Sequence, residues 1–375
     1  MDTKTKIGRG GETIERRDLL RYLGAGAVGL ALAGHGPLLA TRARAAELAG
    51  RPGRKLLQGL FPIASTPYTE NDKLDLECLV NEVKFCNKGG VHGMIWPQIA
   101  SGWTVLREDE RLAGAEAILA ANKGERTALI IGVQSLHNDM AEVERYATHA
   151  KKNGADGLCA LPPADVDDEK ALLEYYQKIG AMTDLPLFVQ SQRAMSIDLI
   201  VEIFNTVPTM RQVKDETTAS DPLDRVGELR KRTSGQLNVF SGKGARTMIT
   251  EMERGFMGHC PTVALADVYA QAFDLWHAGR RVEAFDMFGR ILAFGSMGGG
   301  ANNAVLIARG VFKPTTHTRS APLAAGVEPE PGAAGRGARA GGTSVGPTRI
   351  PAEEALAMRK ALDTYLKPYL RGDLV

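Results

Sequence analysis

A chain of 375 residues, 44% of them hydrophobic and 24% charged, has ordinary globular composition and enough apolar content for one large core. Its 46 lysines and arginines against 44 aspartates and glutamates leave a net charge of +2, which gives no reason to expect nucleic acid as a partner. Four cysteines without a C-x-x-C pair, and seven histidines without H-x-H or H-E-x-x-H spacing, argue against a disulfide framework, a structural zinc site or a metalloprotease centre.

Residues 1–45 read as a targeting segment. Arg16 and Arg17 precede an uncharged Gly/Ala/Leu stretch, Tyr22 to Gly34, and Ala43-Arg44-Ala45 offers an A-x-A cleavage site before Ala46. The pattern is similar to a twin-arginine export signal. The stretch is too short and too glycine-rich to span roughly 30 Å of hydrocarbon. The expectation is a periplasmic protein, exported already folded, with no stable membrane association after cleavage.

From residue 60 the chain alternates short apolar runs with segments of helical period. Strands are predicted at Leu60–Thr66, Gly93–Trp96, Ala128–Val133, Gly157–Leu161, Leu185–Gln190, Arg211–Lys214, Asn238–Ser241 and His259–Ala264. Helical stripes lie between them: Leu76, Leu79, Val80 and Val83; Leu172, Leu173, Tyr176 and Ile179; Leu199, Ile200, Ile203 and Phe204. Ser196 suits an N-cap, Pro222 a first helical position and Gly154 a left-handed helix end. Cys78 and Cys86 fall on one helix, with α-carbons about 12 Å apart, too far to bridge. Cys159 and Cys260 fall on opposite sides of the predicted ring.

Strict alternation implies a parallel sheet with right-handed crossovers, and eight units in roughly 220 residues fit an α/β fold of the (β/α)8 TIM-barrel type. A doubly wound open sheet is the rival, weakened because no G-x-G-x-x-G follows the first strand. The barrel is assigned residues 56–265. A C-terminal helical extension follows over 266–319, with helices at Asp267–Ala278, Val282–Phe294 and Ala301–Arg309. Residues 320–347, rich in Gly, Ala, Pro and Arg, are expected to be a disordered insertion. Residues 348–375 hold a final helix, Ala352–Leu370.

Lys214 ends the short apolar run Met210 to Val213, and parallel barrels set their chemistry at the carboxyl ends of strands. A lone lysine there is more often a surface residue ending a strand, so the surrounding residues decide. Ser65-Thr66-Pro67-Tyr68 with Leu74-Asp75, Ala128 to Val133, Asn153-Gly154-Ala155-Asp156-Gly157, and Gln212-Val213-Lys214-Asp215 follow in a particular order and spacing. Together they resemble the dihydrodipicolinate synthase/N-acetylneuraminate lyase family of pyruvate-handling class I aldolases, across roughly residues 56 to 318.

The resemblance implies a Schiff-base lyase in which Lys214 attacks a small 2-oxo acid, a homotetramer, and no dissociable cofactor or metal. An ammonium cannot attack, so this chemistry asks burial to bring the amine from about 10.4 to near 7–8. The departures fall at the proton relay. The family's G-T-T-G-E loop corresponds to Gln98-Ile99-Ala100-Ser101-Gly102, where Ser101 retains a hydroxyl. Its "Y-N-x-P" tyrosine falls on Gln190, and its "P-Y-Y" becomes Pro162-Pro163-Ala164. An amide is neither acid nor base, although Gln190 can donate a hydrogen bond to a carboxylate. Dihydrodipicolinate synthesis itself is therefore not expected.

Alternate strand residues share a face, so Glu216 can point inward with Lys214 and serve as general acid/base; equally, Asp215 and Glu216 can begin a solvated loop. Ser241-Gly242-Lys243-Gly244 precedes a helix, where Ser241 and Gly242 could contact a substrate anion, or where glycine simply assists a turn. Trp96 and Trp103 wall the pocket or pack the first helix. Two other readings stay open: a barrel that binds a small carboxylic acid without catalysis, and a barrel enzyme that uses no Schiff base.

Overall fold

The computed structural model describes residues 57–374, except 136–137, 165, 194, 218–220, 298–301 and 320–346. The segment assigned to export and all but the last residue of the 320–347 insertion therefore lie outside the described residues.

Eight strands alternate with eight helices: β1 Gly59–Leu60, α1 Leu76–Gly89, β2 Gly93–Trp96, α2 Glu108–Ala121, β3 Ala128–Gly132, α3 Met140–Lys152, β4 Gly157–Ala160 and α4 Glu169–Met182. The second half continues with β5 Leu187–Ser191, α5 Ile197–Thr206, β6 Met210–Asp215, α6 Pro222–Arg232, β7 Asn238–Ser241, α7 Met248–Arg254, β8 Gly258–His259 and α8 Ala266–His277. All neighbouring strands are parallel, in the order β1-β8-β7-β6-β5-β4-β3-β2. The ring closes through Ile63, which bridges both Ile95 and Thr262, with Ala64 N donating to Ile95 O and Ile95 N to Pro62 O. The predicted TIM barrel is the observed one.

β1 and β8 are shorter than predicted for a covalent reason. Pro62 and Pro261 have no N–H to give the ladder, so pairing is interrupted there and resumes as single bridges. Capping explains where the helices begin. Asp75, Asp139, Asp168, Ser196 and Asp221 each accept a backbone N–H from the first turn, and Pro222 takes the first position of α6. Each cap stands on the carboxyl side of the preceding strand, fixing the loops that form the barrel mouth.

The barrel boundary requires correction. α8, expected to open the extension, is the barrel's own eighth helix: Asp267 lies against Gly89 of α1, and Phe273 stacks edge-on to His92 and His259. The extension proper is α9 Arg281–Ser296, α10 Asn302–Ala308 and α11 Ala352–Tyr365. It is tied to α8 by a fully buried pair, Arg309 bidentate to Asp267 at 2.8 and 2.7 Å, while Asp267 also accepts the backbone N–H groups of Arg371 and Gly372.

Two short strands went unpredicted. β9 His317–Arg319 and β10 Pro347–Arg349 pair antiparallel across the insertion, and His317 bridges Tyr68 at the mouth. Arg319 is buried there, bonded to Asp72 and Glu110 and stacked 3.9 Å over Tyr68.

Candidate active site at the carboxyl end of the barrel

Strand alternation turns Phe188 and Gln190 of β5, Gln212 and Lys214 of β6, and Phe240 of β7 into the ring, since Gln190, Lys214 and Phe240 are register partners. Phe61, Phe188 and Phe240 form an aromatic triad with centroids 5.2–5.7 Å apart. Ile63, Ile95, Ile130, Cys159 and Cys260 complete the interior. Both cysteines therefore point to the same interior from opposite strands. Burial pushes each thiol up to about 12, so neither supplies a thiolate at neutral pH.

Lys214 is 3% exposed at the top of this interior, and its Nζ lies 2.8 Å from Glu216 Oε1. The other carboxylate oxygen of Glu216 accepts from the side-chain amides of Gln190 and of Gln192, the latter at 3.2 Å. Asp215, between them, faces outward and pairs with Arg225 at 3.1 Å. The β6 pleat thus continues past the strand end, and the inward placement of Glu216 is observed. Burial pulls the Lys214 amine down, but the Glu216 carboxylate more than offsets it, and the net shift is upward. The free protein consequently differs from the neutral amine that the chemistry was expected to require: it holds an ion pair.

The remaining candidates divide. Gly242 stands against Glu216, because a Cβ there would meet Glu216 Cγ at 1.9 Å. Ser101 donates its hydroxyl to Ala64 O and accepts from Gln98 N, so its one proton is committed to the backbone. Ser241 lies on the opposite face of β7 from Phe240 and bonds Glu251 of α7 at 2.7 Å, in the layer between ring and helices. The structure does not bring Ser241 to Lys214. Trp96 is buried against Gly114 of α2 and donates to Thr66, a packing role, while Trp103 is half-buried beside Arg111.

Two clusters escaped the sequence reading. Glu251 binds Ser241, Thr247 and His259 together; burial pulls its carboxyl up, and the bonds from His259, Ser241 and Thr247 together outweigh it and hold the carboxyl below the usual range. Arg111 is buried at the rim, donating to Gly132 O and Gln134 O and stacked 3.8 Å over Tyr146. Period-two counting along β7 and β8 would have found the first; the second depends on a helix residue reaching a strand end, which leaves no local pattern. Among the described residues no group of three His, Cys, Asp or Glu is arranged to hold a metal ion.

Fold and site together define a class: a (β/α)8 barrel whose ionisable pair converges on the inner face of the sixth strand, at its carboxyl end. The sequence model of the dihydrodipicolinate synthetase family matches residues 56–293, and the chain belongs to that family, whose members are lyases. A 4-hydroxy-tetrahydrodipicolinate synthase of Rhizobium meliloti is 25% identical over 239 residues, 59% of this chain and 79% of the relative. The fold is similar to that of an N-acetylneuraminate lyase from Mycoplasma synoviae (17% identity, 84% of this chain and 98% of the other, TM-score 0.63). It is equally similar to a prophage protein of the dihydrodipicolinic acid synthase family from E. coli K12, solved in complex with pyruvate (15% identity, 83% and 99%, TM-score 0.63).

Proposed function

We propose that the protein is a class I lyase in which Lys214 forms an imine with pyruvate or a larger 2-oxo acid, leading to aldol cleavage or dehydration. The observation that carries this reading is the amine itself: 3% exposed, inside the ring, 2.8 Å from a carboxylate able to take its proton. Proton transfer from Nζ to Glu216 leaves a neutral amine and a carboxylic acid. The amine adds to the ketone carbon, Glu216 returns the proton to the departing water, and the protonated imine then withdraws electrons from the neighbouring carbon. Gln190, where the family has a phenol, orients Glu216 and carries no proton. For that reason dihydrodipicolinate synthesis is not the reaction proposed.

Borohydride reduction in the presence of pyruvate tests the imine. The expected product is a covalent adduct on Lys214, heavier by pyruvic acid less one oxygen atom, and absent from Lys214→Ala. No adduct in the native protein, or one that persists in Lys214→Ala, overturns the proposal. Glu216→Gln should slow imine formation by about 10²-fold; an unchanged rate at every pH excludes Glu216 as the proton carrier.

The ion pair also favours a second reading, a barrel that binds a small carboxylic acid without catalysis. Tight binding with no trapped adduct would support it, whereas turnover surviving Lys214→Arg would point to chemistry without an imine. The paired arginines and Ala43-Arg44-Ala45 support twin-arginine export, which a periplasmic protein beginning at Ala46 would verify. Family resemblance supports a homotetramer, tested by sedimentation.

A further inference from the structure

We propose that the side-chain amides of Gln190 and Gln192 form the substrate's carboxylate-binding site, and that Glu216 occupies this site in the free protein, so that a 2-oxo acid enters by displacing an internal carboxylate. The inference rests on the imine reading of Lys214 and adds to it how the substrate is held.

The first ground is convergence. One carboxylate collects an ammonium and two amide donors, from Lys214, Gln190 and Gln192. Gln190 is fully buried, its Nε2 is bonded to Glu216, and among the described residues its Oε1 has no partner. A buried amide with half its capacity unspent is an unusual structural element. Holding a carboxylate is the one task its contacts show. Glu216, at 19% exposure beside a lysine at 3%, is the more solvent-exposed member of the pair.

The second ground is stereochemical. In a 2-oxo acid the carboxylate is bonded directly to the ketone carbon. When Nζ attacks that carbon, the carboxylate must lie within about 3–4 Å of Nζ, within reach of the same donors. Glu216 Oε1 already stands there, at 2.8 Å. Two carboxylates cannot share the position at that separation, because their repulsion in a partly desolvated site is large. Glu216 must therefore leave the donors before an imine forms, carrying the Nζ proton as a carboxylic acid that stays within reach of the departing water.

The third ground is that the two buried polar side chains of the loop after β2, Gln98 and Ser101, already have their donors directed at protein acceptors. Ser101 has committed its proton to Ala64 O, and Gln98 Nε2 is directed to Gln134 Oε1 at 3.4 Å. The vacancy left by Glu216 would expose donors that are already aligned.

Lactate isolates the site, since it carries the carboxylate but no ketone and cannot form an imine. Its binding to the full-length protein, measured by titration calorimetry, should tighten about tenfold or more in both Glu216→Ala and Glu216→Gln. Adding Gln190→Met to either variant, a change close in volume, should return the affinity to the native value or below, with unfolding curves confirming that each variant is folded. Lactate affinity that is unchanged or weaker in both Glu216 variants overturns the proposal. So does tight binding that survives Gln190→Met combined with Gln192→Ala. Pyruvate trapping on Lys214, run in parallel, reports on the imine alone. Trapping without the lactate effect keeps the imine and removes this site; the lactate effect without trapping does the reverse.

Discussion

At Lys214 two opposing influences act on one proton. Desolvation inside the ring favours the neutral amine, and the carboxylate of Glu216 favours the ammonium and prevails. Gly242 gives a way to tip this balance without touching either group. An alanine there would press its Cβ against Glu216 Cγ, now 1.9 Å from that position, and the side chain that can yield is Glu216. With the carboxylate displaced, burial stays while the strongest upward pull is lost, so the amine should release its proton at lower pH. The expected outcome for Gly242→Ala is a pyruvate-trapping profile shifted toward acid, read as adduct against pH. A profile that does not move would mean that Glu216 does not hold the proton on Lys214. Lysine, glutamate and their spacing of two were legible in the sequence. Their ion pair was not, because Gln190 of β5 and Gln192 just beyond it hold the carboxylate in place.

Elements impose a stricter geometry than motifs do. The pleat that points Phe240 and Gly242 into the ring obliges Ser241 to point out, so of the two readings open for Ser241-Gly242, the turn and the anion contact, the strand geometry gives the serine neither. It instead helps Glu251 of α7 clasp β7 and β8 through Ser241 and His259. Ser241→Ala should therefore cost about 1.5–3 kcal/mol, the range for a hydrogen bond to a charged group, while trapping on Lys214 stays unchanged. Urea unfolding and borohydride trapping on the same sample would separate this from a substrate-binding role, which would alter trapping and spare stability. Strand positions such as those of β3 and β5 were legible because these strands are unbroken runs of residues buried on both faces. The end of the barrel was not, since α8 has the same helical period as α9 and α10, and only its position beside α1 assigns it to the ring. The strands β9 and β10 are three residues each, too short for any alternation to register.

Across the whole molecule, stability should depend on a histidine remote from the chemistry. His277 ends α8, packed 4.2 Å from Phe273, with Nε2 buried and, among the described residues, without a partner. Burial first, then the charges of His259 and Arg281, lower it to about 4. An unfolded histidine takes up its proton near pH 6.5. Between about 6.5 and 4 the unfolded chain thus binds a proton that the folded one refuses, so stability falls as pH falls through that window. The loss should be on the order of 2 kcal/mol, allowing for incomplete burial, and His277→Gln should flatten that part of the curve. Unfolding free energies of both proteins at pH 7 and pH 4.5 check this; equal losses would refute it.

The pairing of Arg319 with Pro347 has one more consequence. Everything from residue 320 to 346 is hung from two neighbouring points on a single ladder, one of them pinned by Asp72 and Glu110. Closure entropy grows only with the logarithm of length, so a change in the number of residues between those two points alters the cost of closing the ladder only slightly. The same arithmetic makes the two ends a place to try grafting: a foreign peptide spliced between Arg319 and Pro347 would meet a ladder whose spacing is already set.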